Sequence, residues 1–267
     1  MTGSLRFDGR VAVITGAGRG LGATLARRLA AAGASVAVVA RSERSLKESG
    51  DAAREAGAET LAIPADVTSR DGMKRVAGEV MDLFGRVDVL VTMAFGAAPR
   101  RAVLNMDDDG LELWRKVVET GGYGTLLACR YLAPPMVEQG SGAIVNVTSM
   151  SSRMGHAGRS EYAAGKAAAH RITHALAGEL GPSGVRVNAV APGHIWSDML
   201  ARYHELQAKE RGVGYETVHA EVTAGAALRR IVTEDEVASA ILFLASDLAS
   251  GITGAVLDVN AGHLFAP

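Results

Sequence analysis

Short β-branched apolar runs alternate with alanine-rich stretches of helical period along the whole chain, and this alternation restricts the possible folds more than any other feature. Runs at residues 11–15, 35–40, 61–64, 87–92, 143–148, 185–190 and 255–259 read as strands. Segments at 21–32 (closed by Gly33), 71–84, 107–134, 161–180 and 234–246 read as helices. The strands read as continuous, mostly apolar runs instead of alternating ones, which marks a parallel sheet covered on both faces. Repeated strand–helix units with right-handed crossovers produce a doubly wound α/β sheet. A chain of 267 residues with 48% hydrophobic content is enough for one large domain, and neither a linker nor a short-period repeat divides it. One segment breaks the regularity: residues 193–225, partly helical over 198–211, follow a strand end and read as a substrate lid.

The bulk properties exclude several classes. Net charge is −1, so no general positive field invites nucleic acid or an anionic membrane. The single cysteine, Cys129, rules out an intramolecular disulfide and fits a reducing compartment. The first ten residues, MTGSLRFDGR, hold no apolar signal-peptide core, and no run of about 18 apolar residues could span a bilayer. A cytoplasmic protein with no nucleic-acid or membrane partner is expected.

The first strand runs into Thr15-Gly16-Ala17-Gly18-Arg19-Gly20-Leu21-Gly22. Glycines here let the backbone turn sharply and approach a pyrophosphate, while the next helix turns its free N–H groups and positive dipole end toward the phosphates. The third glycine falls one residue late for strict GxGxxG spacing, so the motif alone is weak, and its place between strand and helix strengthens it. The second strand ends Val39-Ala40-Arg41-Ser42, with no acid before Glu43. A carboxylate there would hold the ribose 2′-hydroxyl of NAD, whereas an arginine accommodates the 2′-phosphate of NADP. Arg41, with Arg19 as a second candidate, therefore points to NADP(H) as the preferred cofactor and leaves NAD(H) open. Asp66, after the third strand, is positioned for an adenine edge or for a turn of its own.

Tyr162 and Lys166 stand four apart on a helix and share a face. A lysine ammonium beside a phenol favours the phenolate, as a general acid/base near neutral pH requires. Ser149 ends a strand thirteen residues earlier, where its hydroxyl could orient a substrate oxygen.

On these residues the chain resembles the short-chain dehydrogenase/reductases of the Ser-Tyr-Lys type along nearly its whole length. The matching motifs are Thr15-Gly-x-x-x-Gly20-x-Gly22, Asp66-Val67, Ser149 with Tyr162-x-x-x-Lys166, Asn188, Pro192-Gly193 with Ser197 in place of the usual Thr, and the tail Leu257-Asp258-Val259-Asn260-Ala261-Gly262. The resemblance implies a seven-stranded Rossmann-like sheet, a tetramer or dimer, and hydride transfer between a nicotinamide and an alcohol or ketone. Tyr162 would exchange a proton with the substrate oxygen, Ser149 would position that oxygen, and Lys166 would hold the nicotinamide ribose. Gly16, Gly18, Arg19, Gly20, Leu21, Gly22, Arg41, Asp66, Val67 and Ala94 would border the cofactor, with Pro192, Gly193 and Ile195 at the carboxamide and Ser197 at a phosphate. Two departures stand out. Thr92-Met93-Ala94-Phe95 replaces the usual Asn-Asn-Ala-Gly, and Gly121 stands where the family carries a helix asparagine of the proton relay. Mid-helix glycines also predict a kink near 121–122.

Other signals carry less. His170 and His174 have the helical spacing of a zinc pair but lack a third ligand, so they read as an ordinary helix face and no metal is expected. Asp107-Asp108-Asp109 reads as a helix start, and Arg100-Arg101 as a solvated loop near the site mouth, with an anionic substrate as the alternative. Trp196, Met199, Leu200 and Tyr203 would cover a mainly apolar substrate pocket. The competing functional reading is a non-catalytic dinucleotide-binding sensor or structural subunit, motivated by the two departures; the intact Ser149–Tyr162–Lys166 set argues for the enzyme.

Overall fold

Seven strands, all parallel, lie side by side in the computed structural model, which describes residues 5–96 and 99–265 and only the backbone of Met199. They are β1 (Val11–Thr15), β2 (Ser35–Ala40), β3 (Thr60–Pro64), β4 (Val89–Thr92), β5 (Gly142–Val147), β6 (Val185–Pro192) and β7 (Val256–Val259), in the order β3-β2-β1-β4-β5-β6-β7. The helices are α1 (Leu21–Ala31), α2 (Glu43–Glu55), α3 (Arg70–Phe84), α4 (Asp108–Gly121), α5 (Tyr123–Gln139), α6 (Ser160–Leu180), α7 (Asp198–Arg211), α8 (Tyr215–Ala224) and α9 (Glu234–Ala245). This is the doubly wound single domain expected from the strand–helix alternation.

Each strand shares its side chains between two cores, because successive residues point to opposite faces. Ala12 and Ile14 join Leu25, Leu29, Ile241 and Leu244 under α1 and α9. Val11 and Val13 join Met73, Val76, Leu132 and Met136 under α3 and α5. Mostly apolar strands are the consequence. Strand order reverses between β1 and β4, and in such sheets the crevice at the carboxyl ends beside that reversal is where ligands bind.

The predicted helix over 107–134 is two helices. α4 stops at Gly121 and α5 restarts at Tyr123, with Gly122 (φ −92°, ψ −70°) turning the chain between them. A Cβ on Gly121 would stand 3.1 Å from the Cα and carbonyl carbon of Gly165 on α6, so the break sits where two backbones touch. α5 then runs past Pro134 and Pro135, which hydrophobic periodicity had taken for its end.

The irregular segment after β6 is more helical than expected, since α8 follows α7. Arg211 clamps the two through both oxygens of Glu221, at 2.7 Å each. Beneath the clamp His204, fully buried, lies between Tyr215 and His219 with ring centroids 5.9 and 5.7 Å away, and Trp196 meets His219 edge-on.

Candidate active site

The glycine turn after β1 has the shape a diphosphate needs. Gly16 (φ 78°) and Gly20 (φ 70°) occupy left-handed backbone that other residues rarely adopt. A Cβ on Gly16 would fall 2.4 Å from Ala94 N and Cα, which seals the turn against the end of β4. Gly22 packs α1 onto the turn, where a Cβ would meet Ala17 at 3.1 Å. Unlike α2, α3, α4, α7 and α9, which begin with a capping hydroxyl or carboxylate, α1 has no side-chain cap and no acid in its first turn. Its N–H groups and dipole are therefore left for a ligand anion. Glu234 reaches toward this turn and accepts a hydrogen bond from Thr24 Oγ1 at 3.0 Å; burial raises its carboxyl above the ordinary range.

Arg41 and Arg19 both project into solvent at the far end of the crevice. Arg41 Nη1 stands 4.0 Å from Asp66 Oδ2, and Arg19 Nε 4.0 Å from Glu48 Oε2, each at the outer limit of an ion pair and too long for a hydrogen bond. Asp66 uses its other oxygen locally, accepting from Thr68 N–H (2.9 Å) and Thr68 Oγ1 (2.7 Å). The turn reading of Asp66 is therefore seen in its Oδ1, while Oδ2 faces Arg41. Val67 is buried against Gly124, whose absent side chain lets α5 approach it.

On the other side of the reversal, Ser149 follows β5, and Tyr162 and Lys166 occupy the first two turns of α6. Ser149 Oγ accepts the Ser151 N–H at 3.1 Å, and Ser149 stands near enough to the Tyr162 phenol to favour its ionised form. Lys166 is buried, and its ammonium donates to Val147 O, the last carbonyl of β5, at 2.7 Å. Pro192 ends β6, Gly193 packs on Asn260, Ile195 bridges to Val232, and Ser197 caps α7 by accepting the Leu200 N–H at 3.2 Å. Asn188 ties β6 to the tail, donating to Ile252 O and accepting from Ala255 N–H. Residues 16–22, Arg41, Asp66, Ala94, Ser149 and residues 192–197 thus lie at or just past the carboxyl ends of β1, β2, β3, β4, β5 and β6, while Tyr162 and Lys166 stand on α6.

The electrostatics differ from the simple tyrosine–lysine pair. Burial raises the Tyr162 phenol above its ordinary value, opposed by Ser149 beside it and then by the charge of Arg159. Burial pushes Lys166 down to about 8. Lys166 Nζ lies 6.0 Å from the Tyr162 ring centre, turned to the β5 carbonyl, whereas the Arg159 guanidinium lies over the same ring at 4.6 Å. The free protein therefore holds a protonated phenol, and the cation nearest to it is one the sequence reading passed over. Its only signal in the sequence was its position three residues before Tyr162.

The two departures also acquire structure. Phe95 meets Tyr162 edge to face at 6.2 Å and lies 5.9 Å from Lys166 Nζ, while 45% exposed, so an aromatic ring borders the reacting phenol where the family has glycine. Gly121 cannot carry an asparagine without parting α4 from α6. Elsewhere, His170 bonds Ser152 Oγ at 3.2 Å and meets His174 edge-on. Arg101 pairs with Asp107 at 2.6 Å, and Asp107 caps α4 as expected, whereas Arg100 lies over the Tyr203 ring at 5.4 Å.

Comparison with known proteins agrees with this geometry. The family model described as enoyl-(acyl carrier protein) reductase matches residues 16–263. The chain is 38% identical to cis-4-hydroxycyclohexanecarboxylate dehydrogenase of Sinomonas cyclohexanicum, over 96% of this chain and 97% of that protein. Among solved structures, levodione reductase superposes with a TM-score of 0.88 at 32% identity, covering 96% of this chain and 98% of the other. A variant of actinorhodin polyketide ketoreductase solved with NADPH superposes at 0.87 with 34% identity, covering 95% and 97%. The chain belongs to the short-chain dehydrogenase/reductase family. It is a nicotinamide-dependent oxidoreductase acting on CH–OH groups and the corresponding ketones, and nothing in these relationships favours a non-catalytic sensor or structural subunit.

Proposed function

We propose that the protein interconverts a ring-borne secondary alcohol and its ketone with NADP(H) in preference to NAD(H), using Tyr162 as the proton donor and acceptor. The observation that carries this reading is the convergence of Ser149, Tyr162 and Lys166 at the carboxyl end of β5, with the phenol beside Ser149 and held protonated by burial. Ser149 orients the substrate oxygen. Tyr162 Oη gives that oxygen a proton in reduction and takes it back in oxidation. Lys166, buried and poised near neutral pH, binds the nicotinamide ribose and steadies the phenolate as it forms. The nicotinamide, when bound, supplies or accepts the hydride at the substrate carbon. Gly16 to Gly22 and the uncapped end of α1 would cradle the diphosphate, Asp66 and Val67 the adenosine, and Ala94, Pro192, Gly193, Ile195 and Ser197 the nicotinamide half.

Three supports bear on the finer points. For NADP(H), β2 ends without an acid, and the exposed guanidiniums of Arg41 and Arg19 stand ready for a 2′-phosphate; the ketoreductase relative was solved with NADPH. For a ring substrate, cis-4-hydroxycyclohexanecarboxylate, for which one relative is named, bears its hydroxyl on a saturated ring. The half-exposed Trp196 and Tyr203 supply apolar walls, and residues 193–225 act as the lid above them. For assembly, Trp114, Val118, Tyr123, Leu126 and Ile172 form an apolar groove on α4, α5 and α6 that a second copy would cover in a dimer or tetramer. No helix among the described residues is long and apolar enough to cross a membrane. The buried Cys129 thiol, pushed up to about 12, suits the cytoplasm. The test is a spectrophotometric assay with NADPH and NADH against a panel of cyclic ketones. NADPH-dependent turnover is expected; turnover confined to NADH would remove the cofactor assignment.

A further inference from the structure

Tyr162 is walled on one side by cations that have no counter-charge. Arg159, the residue at the N-cap of α6, covers the Tyr162 ring, and its Nε is buried without a hydrogen-bond partner. No carboxylate among the described residues lies within ion-pair distance, 4.0 Å, of Arg159 or of Arg100. Arg101 N–H donates to Gly158 O at 3.0 Å, which ties the loop bearing Arg100 to the loop bearing Arg159. His156 lies near both arginines, and His194 meets His263 edge-on at 5.2 Å. The surrounding positive charge adds to burial in holding both imidazoles neutral, His194 down to about 4. The nearest acid in sequence, Glu161, is buried with neither carboxylate oxygen hydrogen-bonded, and it lines a small cavity with Arg101, Leu113 and Trp114.

A guanidinium stacked on a phenol gains from the ring's negative face, but its N–H edge still requires acceptors. Structural arginines of this chain have them: Arg186 donates to the carbonyls of Leu244 and Ser246, and Arg86 to both oxygens of Asp88. Arg159 is the exception beside the reacting group. The acceptor it lacks is one that arrives with the substrate, and planar bidentate recognition of a carboxylate is what a guanidinium does best.

We infer that the substrate is a hydroxy acid and its keto-acid partner, with the reacting oxygen at Tyr162 and a carboxylate, about the span of a six-membered ring away, paired with Arg159 while Arg100 guides it in from the entrance. This deepens the reading of Tyr162 given above and rests on it. Arg159 is then a specificity residue, and the substrate surface is apolar apart from its one anionic end.

The experiment uses matched probes with the full-length protein: 4-hydroxycyclohexanecarboxylate, its methyl ester, and 4-methylcyclohexanol, each with NADP+. The acid should exceed the ester in kcat/KM by about ten- to a hundredfold, as expected for hydrogen bonds to a charged group. Arg159→Gln should erase that preference mainly through KM, and Arg159→Lys should restore part of it. Equal use of acid and ester by the wild type, or a preference that survives Arg159→Gln, overturns the inference while leaving alcohol oxidation intact. Calorimetric titration with cyclohexanecarboxylate and cyclohexanecarboxamide decides the matter without turnover. The anion should bind at least about tenfold more tightly than the amide to the wild type and equally to Arg159→Gln; equal binding to the wild type refutes it. Absence of turnover for every probe, charged or neutral, would count instead against the catalytic reading.

Discussion

Gly121 stands where the family carries a relay asparagine, and the structure gives a physical reason for its being glycine. α4 crosses α6 with Gly121 on Gly165, and a Cβ at Gly121 would lie 3.1 Å from two backbone atoms of Gly165. Carbon atoms pack at about 3.5–4.0 Å, so any side chain must push the two helices apart by roughly half an ångström. Neither neighbour is a flexible side-chain tip that could swing away. Overpacking of this kind costs about 1–3 kcal/mol, and an asparagine adds a buried amide whose unmet hydrogen bonds cost about 1–3 kcal/mol more. Helix propensity returns only a few tenths for asparagine but about 1 kcal/mol for alanine. Gly121→Asn should therefore destabilise by about 2–5 kcal/mol, which for a chain of this size lowers Tm by roughly 5–15 °C. Gly121→Ala isolates the contact: in an open helix it would stabilise, and here it should lower Tm or at best leave it unchanged. Differential scanning calorimetry of both variants provides the measurement. An asparagine variant with wild-type Tm and raised turnover would refute the argument, because it would mean that the space and the relay position were both available.

Three further outcomes follow from the site. Arg41→Asp should move the NADPH/NADH ratio of dissociation constants toward NADH by about ten- to a hundredfold, since it removes a guanidinium and adds a carboxylate near Asp66; fluorescence titration of both cofactors would expose an unchanged ratio. Phe95→Gly, which removes the ring between solvent and Tyr162, should alter cofactor affinity and KM while leaving Tm nearly unchanged, because Phe95 is half exposed; a collapse in Tm would assign Phe95 to the core. Burial pushes Lys166 down to about 8 in the folded protein from 10.5 in an exposed chain, so folding releases its proton only between those pH values. Its burial therefore destabilises the cofactor-free protein below about pH 8, and the penalty fades as pH rises toward 10.5. Lys166→Met should raise apo-protein stability in urea most at low pH, and a pH-independent difference would contradict the burial argument.

Much of this molecule was legible in the sequence, for reasons that also explain what was not. A strand covered on both faces must be apolar along most of its length, so the seven runs were visible, and their ends shifted by only a residue or two. Thr148, for example, lies just past β5, donating to Val190 O instead of completing the strand. Ser149, Tyr162 and Lys166 were recoverable because sequence spacing on one helix and one strand end largely determines where they stand. The two glycines at 121–122 located a kink, but its full extent, two separate helices, was not legible because it depends on the close approach of α6 from more than forty residues away. Arg159 was missed, and Phe95 was noted only as a departure from the family pattern, for a similar reason. Their rings and charges meet Tyr162 through loop paths that no periodicity encodes. The direction of the Tyr162 shift was misread as well, since spacing alone could not reveal that Lys166 turns back to the Val147 carbonyl.

The central claim is that Tyr162 carries the proton. Tyr162→Phe keeps the ring that packs against Phe95 and Arg159 and deletes only the hydroxyl beside Ser149. Steady-state kinetics of this variant with NADPH and any accepted ketone, alongside circular dichroism and NADPH binding, measure that claim directly. Fold and cofactor affinity should survive, and turnover should fall by about a hundredfold or more, the usual share of general acid/base catalysis. A folded, cofactor-binding Tyr162→Phe protein that reduces ketones at the wild-type rate would contradict it.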